Sequence, residues 1–302
     1  MRVLRWIGIV LGGMIGLVLI AAVALYVVGG GRIDKTYAIP AETIAIPTDQ
    51  ASIERGRHIA TAIAKCVDCH GENFGGTIFL DVVSPPLFRA VAPNLTRGQG
   101  GIGVQLSDAD FARAIRHGVG QNGKALLVMP ADDYNPMSDA DLGALIAYIR
   151  SLPPVDSQLP PSEIRPLGQI LLAAGQLPPF PAETIDHNVK REAAPPAGVT
   201  PEYGRYLAMT GGCTGCHGPG LSGGPIPGVP PDFPKAKNIT PTGIGSWTDE
   251  DFFRALREGK RPDGSAIDPF MPWKATSQMT DDEIKALLAY LRTVPPRPDD
   301  MR

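Results

Sequence analysis

The chain has 302 residues, 43% of them hydrophobic and 20% charged, which excludes a disordered chain and favours two domains plus extensions. Its net charge is -3 and no basic run occurs beyond the N-terminus, so nucleic-acid binding is excluded too. The 35 glycines and 31 prolines point to long irregular loops rather than a dense helical bundle.

After MRVLR comes an uncharged apolar run from Trp6 to Val28, long enough as a helix to cross a hydrocarbon core of roughly 30 Å at about 1.5 Å per residue. A cleaved signal peptide is the competing reading, since Ala22-Val23-Ala24 resembles a small-residue cleavage site. The run continues to Val28, however, and outlasts the ~7 to 15 residues of a signal core. Residues 1–28 are therefore expected to be a cytoplasmic N-terminus and an uncleaved transmembrane anchor. Arg2 and Arg5 on one side nearly balance Arg32 and Lys35 on the other, so charge alone leaves the orientation open. Residues 29–50 are expected to be a flexible linker.

The first domain is expected over 51–155. A helix in ASIERGRHIATAIAKC leads into KCVDCHG, with Cys66, Cys69 and His70. A second helix follows Ser107 as cap and ends at Gly118. A Gly/Pro-rich loop carries Met129, and a last helix starts at Ser138 and stops at Pro153-Pro154. Its apolar stripe, Leu142, Leu145, Ile149 and Leu152, has the spacing of one buried helix face. A Pro-rich linker, 156–198, holds one short helix near Ile170–Ala174 and lies along the domain surfaces.

The second domain, expected over 199–297, repeats the first. TDEDFFRALREG matches SDADFARAIRHG, TDDEIKALLAYLRTVPP matches SDADLGALIAYIRSLPP, and GCTGCHG supplies Cys213, Cys216 and His217. Gly56 and Gly204 hold the same place in the two first helices, where a missing side chain lets another helix approach; Tyr148 and Tyr290 of the last helices are the expected contacts.

All four cysteines fall in the two CxxCH motifs. Cysteines at i and i+3 present both sulfurs on one side, spaced for two attachment points on one rigid flat cofactor, and the next residue aims an imidazole at its centre. This is the pattern of c-type haem attachment, with the histidine as proximal iron ligand. A shared zinc site or a redox dithiol would give no reason for His70 and His217. Each repeat offers two methionines eight apart. Met137 and Met279 precede helix caps and are accounted for as staples against Leu142 and Ile284. Met129 and Met271 lie in loops, each before a proline, and are assigned as the distal ligands because a thioether suits haem iron. His58, His117 and His187 have no role common to both repeats and are expected to be solvated surface residues.

Helix, CxxCHG, an Asn-Leu/Ile-Thr loop (APNLT, AKNIT), a middle helix, an MP loop and an AYLR-type last helix together resemble class I c-type cytochrome domains. The resemblance covers about Ala51–Val155 and Val199–Arg297. It implies a mainly α fold, two tandem cytochrome c domains of few short helices wrapped round a haem each, behind one transmembrane helix. It also implies two covalently bound haem c groups, attachment outside the cytoplasm, and hence a single-pass inner-membrane protein with periplasmic haem domains. Members carry electrons from dehydrogenases or quinol-oxidising complexes to terminal oxidases or other acceptors, and similar cytochromes are subunits of membrane-bound dehydrogenases, many with three such domains where this chain has two. The expectation is an electron-transfer protein and not an enzyme. A peroxidase-like dihaem enzyme is the alternative, and it would need an open haem face that the paired Met loops argue against.

Overall fold

The computed structural model describes residues 1–229 and 232–301; Pro230 and Pro231, inside the second expected domain, lie outside the described residues. Helix α1 (Arg2–Asp34) holds the apolar run, and its most apolar window is not buried by any other part of the protein. The first repeat contains α2 (Gln50–His58) with a π turn at Ile59–Ile63, α3 (Val67–His70), the strands β1 (Thr77–Val83) and β2 (Pro86–Ala92), α4 (Asp108–His117), α5 (Ala131–Tyr134) and α6 (Asp139–Ser151). Then come β3 (Glu163–Ile164), α7 (Pro166–Ala173) and α8 (Pro181–Thr184). The second repeat comprises α9 (Pro201–Thr210), α10 (Cys213–His217), α11 (Pro241–Ile244), α12 (Asp249–Glu258), α13 (Trp273–Thr276) and α14 (Asp281–Thr293).

Helix boundaries follow the caps. Ser107, Ser138, Thr248 and Thr280 each accept a hydrogen bond from the backbone N–H three residues on, satisfying donors that the first helical turn leaves free. First and last helices of each repeat cross at the matched glycines. A Cβ on Gly56 would stand 1.9 Å from the Ala144 carbonyl oxygen, and one on Gly204 1.9 Å from that of Ala286. Tyr148 and Tyr290 flank the same crossings. Only glycine fits there, as the sequence repeat led us to expect. Leu142, Leu145 and Ile149 of α6, and Ile284, Leu287 and Leu291 of α14, are buried on the inward faces.

The structure departs from the sequence reading in three places. A hairpin, β1–β2, is inserted after the first CxxCH, and β3 extends it to a three-stranded antiparallel sheet. The segment 29–50 is no free tether. α1 continues to Asp34, Tyr37 N–H donates to the Gly123 carbonyl, Ile44 and Ile46 pack on the core, and Glu42 pairs with the buried Arg116. The three histidines are not solvated. His117 is 1% exposed and lies between Glu42 (3.2 Å) and His187 (2.9 Å), while His58 reaches Glu283 of the other repeat at 2.7 Å. Partners that distant in sequence leave no local pattern. The segment 156–198 holds α7 where one short helix near Ile170–Ala174 was expected, and also β3 and α8, which the sequence reading did not anticipate.

The two repeats meet through α2, α6, α9 and α14. Arg55 binds both Asp141 oxygens at 3.0 Å and reaches Glu283 at 3.3 Å, and Tyr206 O–H donates to Asp141 at 2.7 Å. Lys65 Nζ donates to the Gly211 carbonyl, so the two stretches that lead into the CxxCH motifs touch.

Candidate functional site

In each repeat the motif is a single helical turn. The His70 N–H bonds back to the Cys66 carbonyl at 2.9 Å, which sets Cys66 and Cys69 on one side. Gly71 and Gly218 then leave the turn at φ of 78° and 79°, a left-handed backbone that explains why the motif ends in glycine. His70 Nδ1–H donates to the Pro93 carbonyl at 3.0 Å, and His217 Nδ1–H to that of Lys237 at 2.6 Å. A carbonyl only accepts, so the tautomer is fixed and Nε2 is left with its lone pair, as an iron ligand requires. Burial lowers the His70 pKa, against the opposing hydrogen bond to Pro93, and so favours the neutral imidazole.

Those carbonyls sit in matching loops. Asn94 Oδ1 accepts from Thr96 N–H and Oγ1–H (2.9 and 2.8 Å) and its amide donates to Val155. Asn238 does the same with Thr240 (2.9 and 2.7 Å) and donates to Arg297. The Asn-x-Thr pattern is thus a staple between the histidine's acceptor and the chain that leaves the last helix.

Cys66, Cys69, His70 and Met129 line one cavity of about 600 Å³ in the first repeat, with Leu95, Phe111, Leu145 and Ile149 among its apolar walls. The volume is within the range of cofactor sites. A flat apolar group with two attachment points and soft or imidazole ligands fits this donor set. A metal cluster does not: among the described residues no three His, Cys, Asp or Glu side chains converge on one point. Burial, and then the neighbouring Cys69, push the Cys66 thiol up to about 12, and burial raises Cys69 and Cys213. Such thiols stay neutral, which suits thioethers and not thiolate ligands.

The two methionine pairs occupy different places. Met137 and Met279 are 1% and 4% exposed in the core. Met129 and Met271 are partly exposed, in loops packed against the core. Each MP loop is an inverse γ-turn: Ala131 N–H donates to the Met129 carbonyl at 2.8 Å and Trp273 N–H to that of Met271 at 2.7 Å, around prolines at φ/ψ of -78°/59° and -77°/51°. Proline's fixed φ holds the turn.

Sequence reasoning missed part of the cavity wall. Phe79, Ala90, Val91 and Ala92 of the hairpin, Ile33 of α1 and Phe180 of the linker all line it. TIFLDVV and PLFRAVA around Ser84-Pro85 carried a strand signal of β-branched and aromatic residues that could have found the hairpin; nothing local marks Ile33.

Residues 201–295 match the family model described as Cytochrome c, and residues 51–149 the one described as Cytochrome C oxidase, cbb3-type, subunit III. The fructose dehydrogenase cytochrome subunit of Gluconobacter japonicus is 31% identical over 85% of this chain and 56% of its own length. The gluconate 2-dehydrogenase cytochrome c subunit of Pantoea cypripedii is 30% identical over 83% and 62%. A diheme cytochrome c-type protein of Cereibacter sphaeroides is 29% identical over 68% and 70%. The chain thus spans little more than half the length of these two dehydrogenase cytochrome subunits. With a cytochrome c match over each repeat and the same turn, histidine acceptor and MP loop built twice, the chain belongs to the c-type cytochromes, binds haem c and carries two cytochrome c domains in tandem.

Proposed function

We propose that the chain is a membrane-anchored dihaem electron-transfer subunit. Its anchor lies over 1–28 and its haem domains over 51–155 and 199–297, joined by 29–50 and 156–198. Cys66 and Cys69 hold one haem c and Cys213 and Cys216 the other, with His70 and His217 as proximal and Met129 and Met271 as distal ligands. The haems supply reversible one-electron chemistry at iron. The protein fixes the imidazole tautomer through Pro93 and Lys237, presents thioethers from stiffened loops, and excludes water with apolar walls.

The carrying observation is that His70 and Met129 stand on the walls of one cavity, in a repeat whose loop geometry recurs around His217 and Met271. A ligand set of one imidazole and one thioether would close the iron and favour electron transfer over substrate chemistry. The contact of Lys65 with Gly211 supports passage of electrons between the domains. The relatives named as cytochrome subunits of dehydrogenases support a dehydrogenase as donor, with a quinol-oxidising complex as an alternative donor and a terminal oxidase or other redox protein as acceptor. Haem c attachment, which the family carries out away from the cytoplasm, supports a position of the domains on the periplasmic side of the inner membrane.

The test is the visible spectrum of the reduced protein with and without carbon monoxide. No change is expected for the native protein, and a one-haem shift for Met129→Ala and for Met271→Ala, each with a lowered potential in that haem. Carbon monoxide binding by the native protein would overturn the closed ligand sets and bring back a peroxidase-like reading.

A further inference from the structure

Between Ala22 and Ile33 the otherwise exposed α1 is covered along one side: Ala22, Leu25, Gly29, Gly30, Arg32 and Ile33. The helix packed there is α7, PLGQILLA, with no charge and one polar side chain. The approach is backbone to backbone, since a Cβ on Gly29 would stand 2.2 Å from the Gln169 carbonyl oxygen. Arg32 donates to the Leu172 carbonyl at 2.7 Å, so contacts ascend together, 29 with 169 and 32 with 172, and the two helices run in the same direction. The N-terminal half of α7 is therefore level with Leu25–Val28, the last turn of the apolar run.

The hairpin tip lies at that same level. Arg165 N–H donates to the Leu87 carbonyl and Arg165 Nη1 to that of Val82, both at 2.9 Å. A Cβ on Gly168 would meet the Leu87 oxygen at 2.2 Å. Val83 is 64% exposed and Leu167 37%, apolar side chains left uncovered near the level of the last turn of the apolar run. The guanidinium at its edge is not free: Arg165 is paired with Asp81 and Glu163.

Resting on the reading of α1 as a membrane anchor, we infer that the N-terminal half of α7 and the β1–β2 tip form a seat that dips into the bilayer interface beside α1. An apolar patch rigidly fixed to a spanning helix at the depth of its last apolar turn has lipid as its neighbour. The consequence is orientational. Ile33, the cavity wall nearest the anchor, is about five residues or 7.5 Å of helix beyond Val28, so the first haem site is held close above the membrane surface, while the second domain attaches through α2 and α6 on other contacts.

The test uses the full-length holoprotein in phosphatidylethanolamine and phosphatidylglycerol vesicles. Haem attachment consumes the native cysteines, so Leu17→Cys, Val83→Cys, Leu167→Cys and Val199→Cys each add one free thiol for a diazirine maleimide. After irradiation, lipid adducts are counted by mass spectrometry. Adducts are expected at 17, 83 and 167, with at least a tenfold lower yield at 199. Adducts at 17 alone overturn the seat and leave the anchor standing, which is also the outcome if this patch docks a protein partner. Adducts at none of the four overturn the anchor and the seat together, and equal yields at 83 and 199 overturn the seat.

Discussion

His58 of the first domain meets Glu283 of the second at 2.7 Å, and Tyr206 of the second meets Asp141 of the first at the same distance. His58 and Tyr206 hold equivalent positions in the repeat, as do Asp141 and Glu283. Each domain's first helix therefore reaches the last helix of the other, in the reciprocal way of an interface related by a two-fold axis. Arg55 lies between the two carboxylates.

A double-mutant cycle on His58→Ala and Glu283→Gln should return a coupling energy of about 1 kcal/mol or more by urea unfolding. Glu283→Gln alone should cost about 2 kcal/mol, because Arg55 loses a partner at a buried site. Additive effects of the two changes would mean that the contact carries no energy.

Gly56→Ala and Gly204→Ala should each destabilise their own domain by about 2 kcal/mol or more, since the methyl meets a carbonyl oxygen and helix backbones must part. Thermal unfolding followed at each domain's Soret band reads this. An unchanged midpoint would place the crossing elsewhere.

Glu42 gives acid sensitivity. Burial alone would raise its pKa, but hydrogen bonds and charge from His117 and Arg116 outweigh burial and hold it at about 2. Its contribution is present above the ordinary glutamate value of about 4.3 and is lost as pH falls from there towards 2. It amounts to about 3 kcal/mol. Urea midpoints between pH 5 and 2.5 should fall less steeply in Glu42→Gln than in the native protein.

Asp133 acts in the opposite sense. Burial raises its pKa to about 6, with Asp132 adding to the rise and Lys65 opposing it. The carboxyl lies against Gly212 and Gly215 of the second motif. Its folded pKa exceeds the ordinary value of about 3.9, so stability is full below that pH and declines as pH rises through 6. Asp133→Asn should be more stable than the native protein at pH 7, by about 3 kcal/mol, and equal to it near pH 4. A variant less stable at pH 7 would show that the charged form is needed.

What the sequence revealed about this fold was whatever repeats locally. The caps at Ser107 and Thr248, the crossings at Gly56 and Gly204 and the separation of Met129 from Met137 all follow from short-range steric and hydrogen-bonding rules, and seeing each twice removed chance. What it hid was long-range. Glu42 carries no mark of its pairing with Arg116 and His117, 74 and 75 residues away, and a histidine looks the same in water as in a buried pair. The hairpin was legible in principle but broke the helical expectation set by the rest of the repeat.

The wrapping of the first domain by its flanking segments sets an order of events during synthesis. Its α4 face is closed by Glu42, which emerges before the domain, and by His187 and Arg191, which emerge after it. A chain made from the N-terminus onward presents Cys66 and Cys69 more than a hundred residues before the last of these pieces is made. The first CxxCH is therefore presented on an unfinished scaffold, whereas the second domain draws its described helices from one continuous stretch, 201–293, and can close soon after its motif appears.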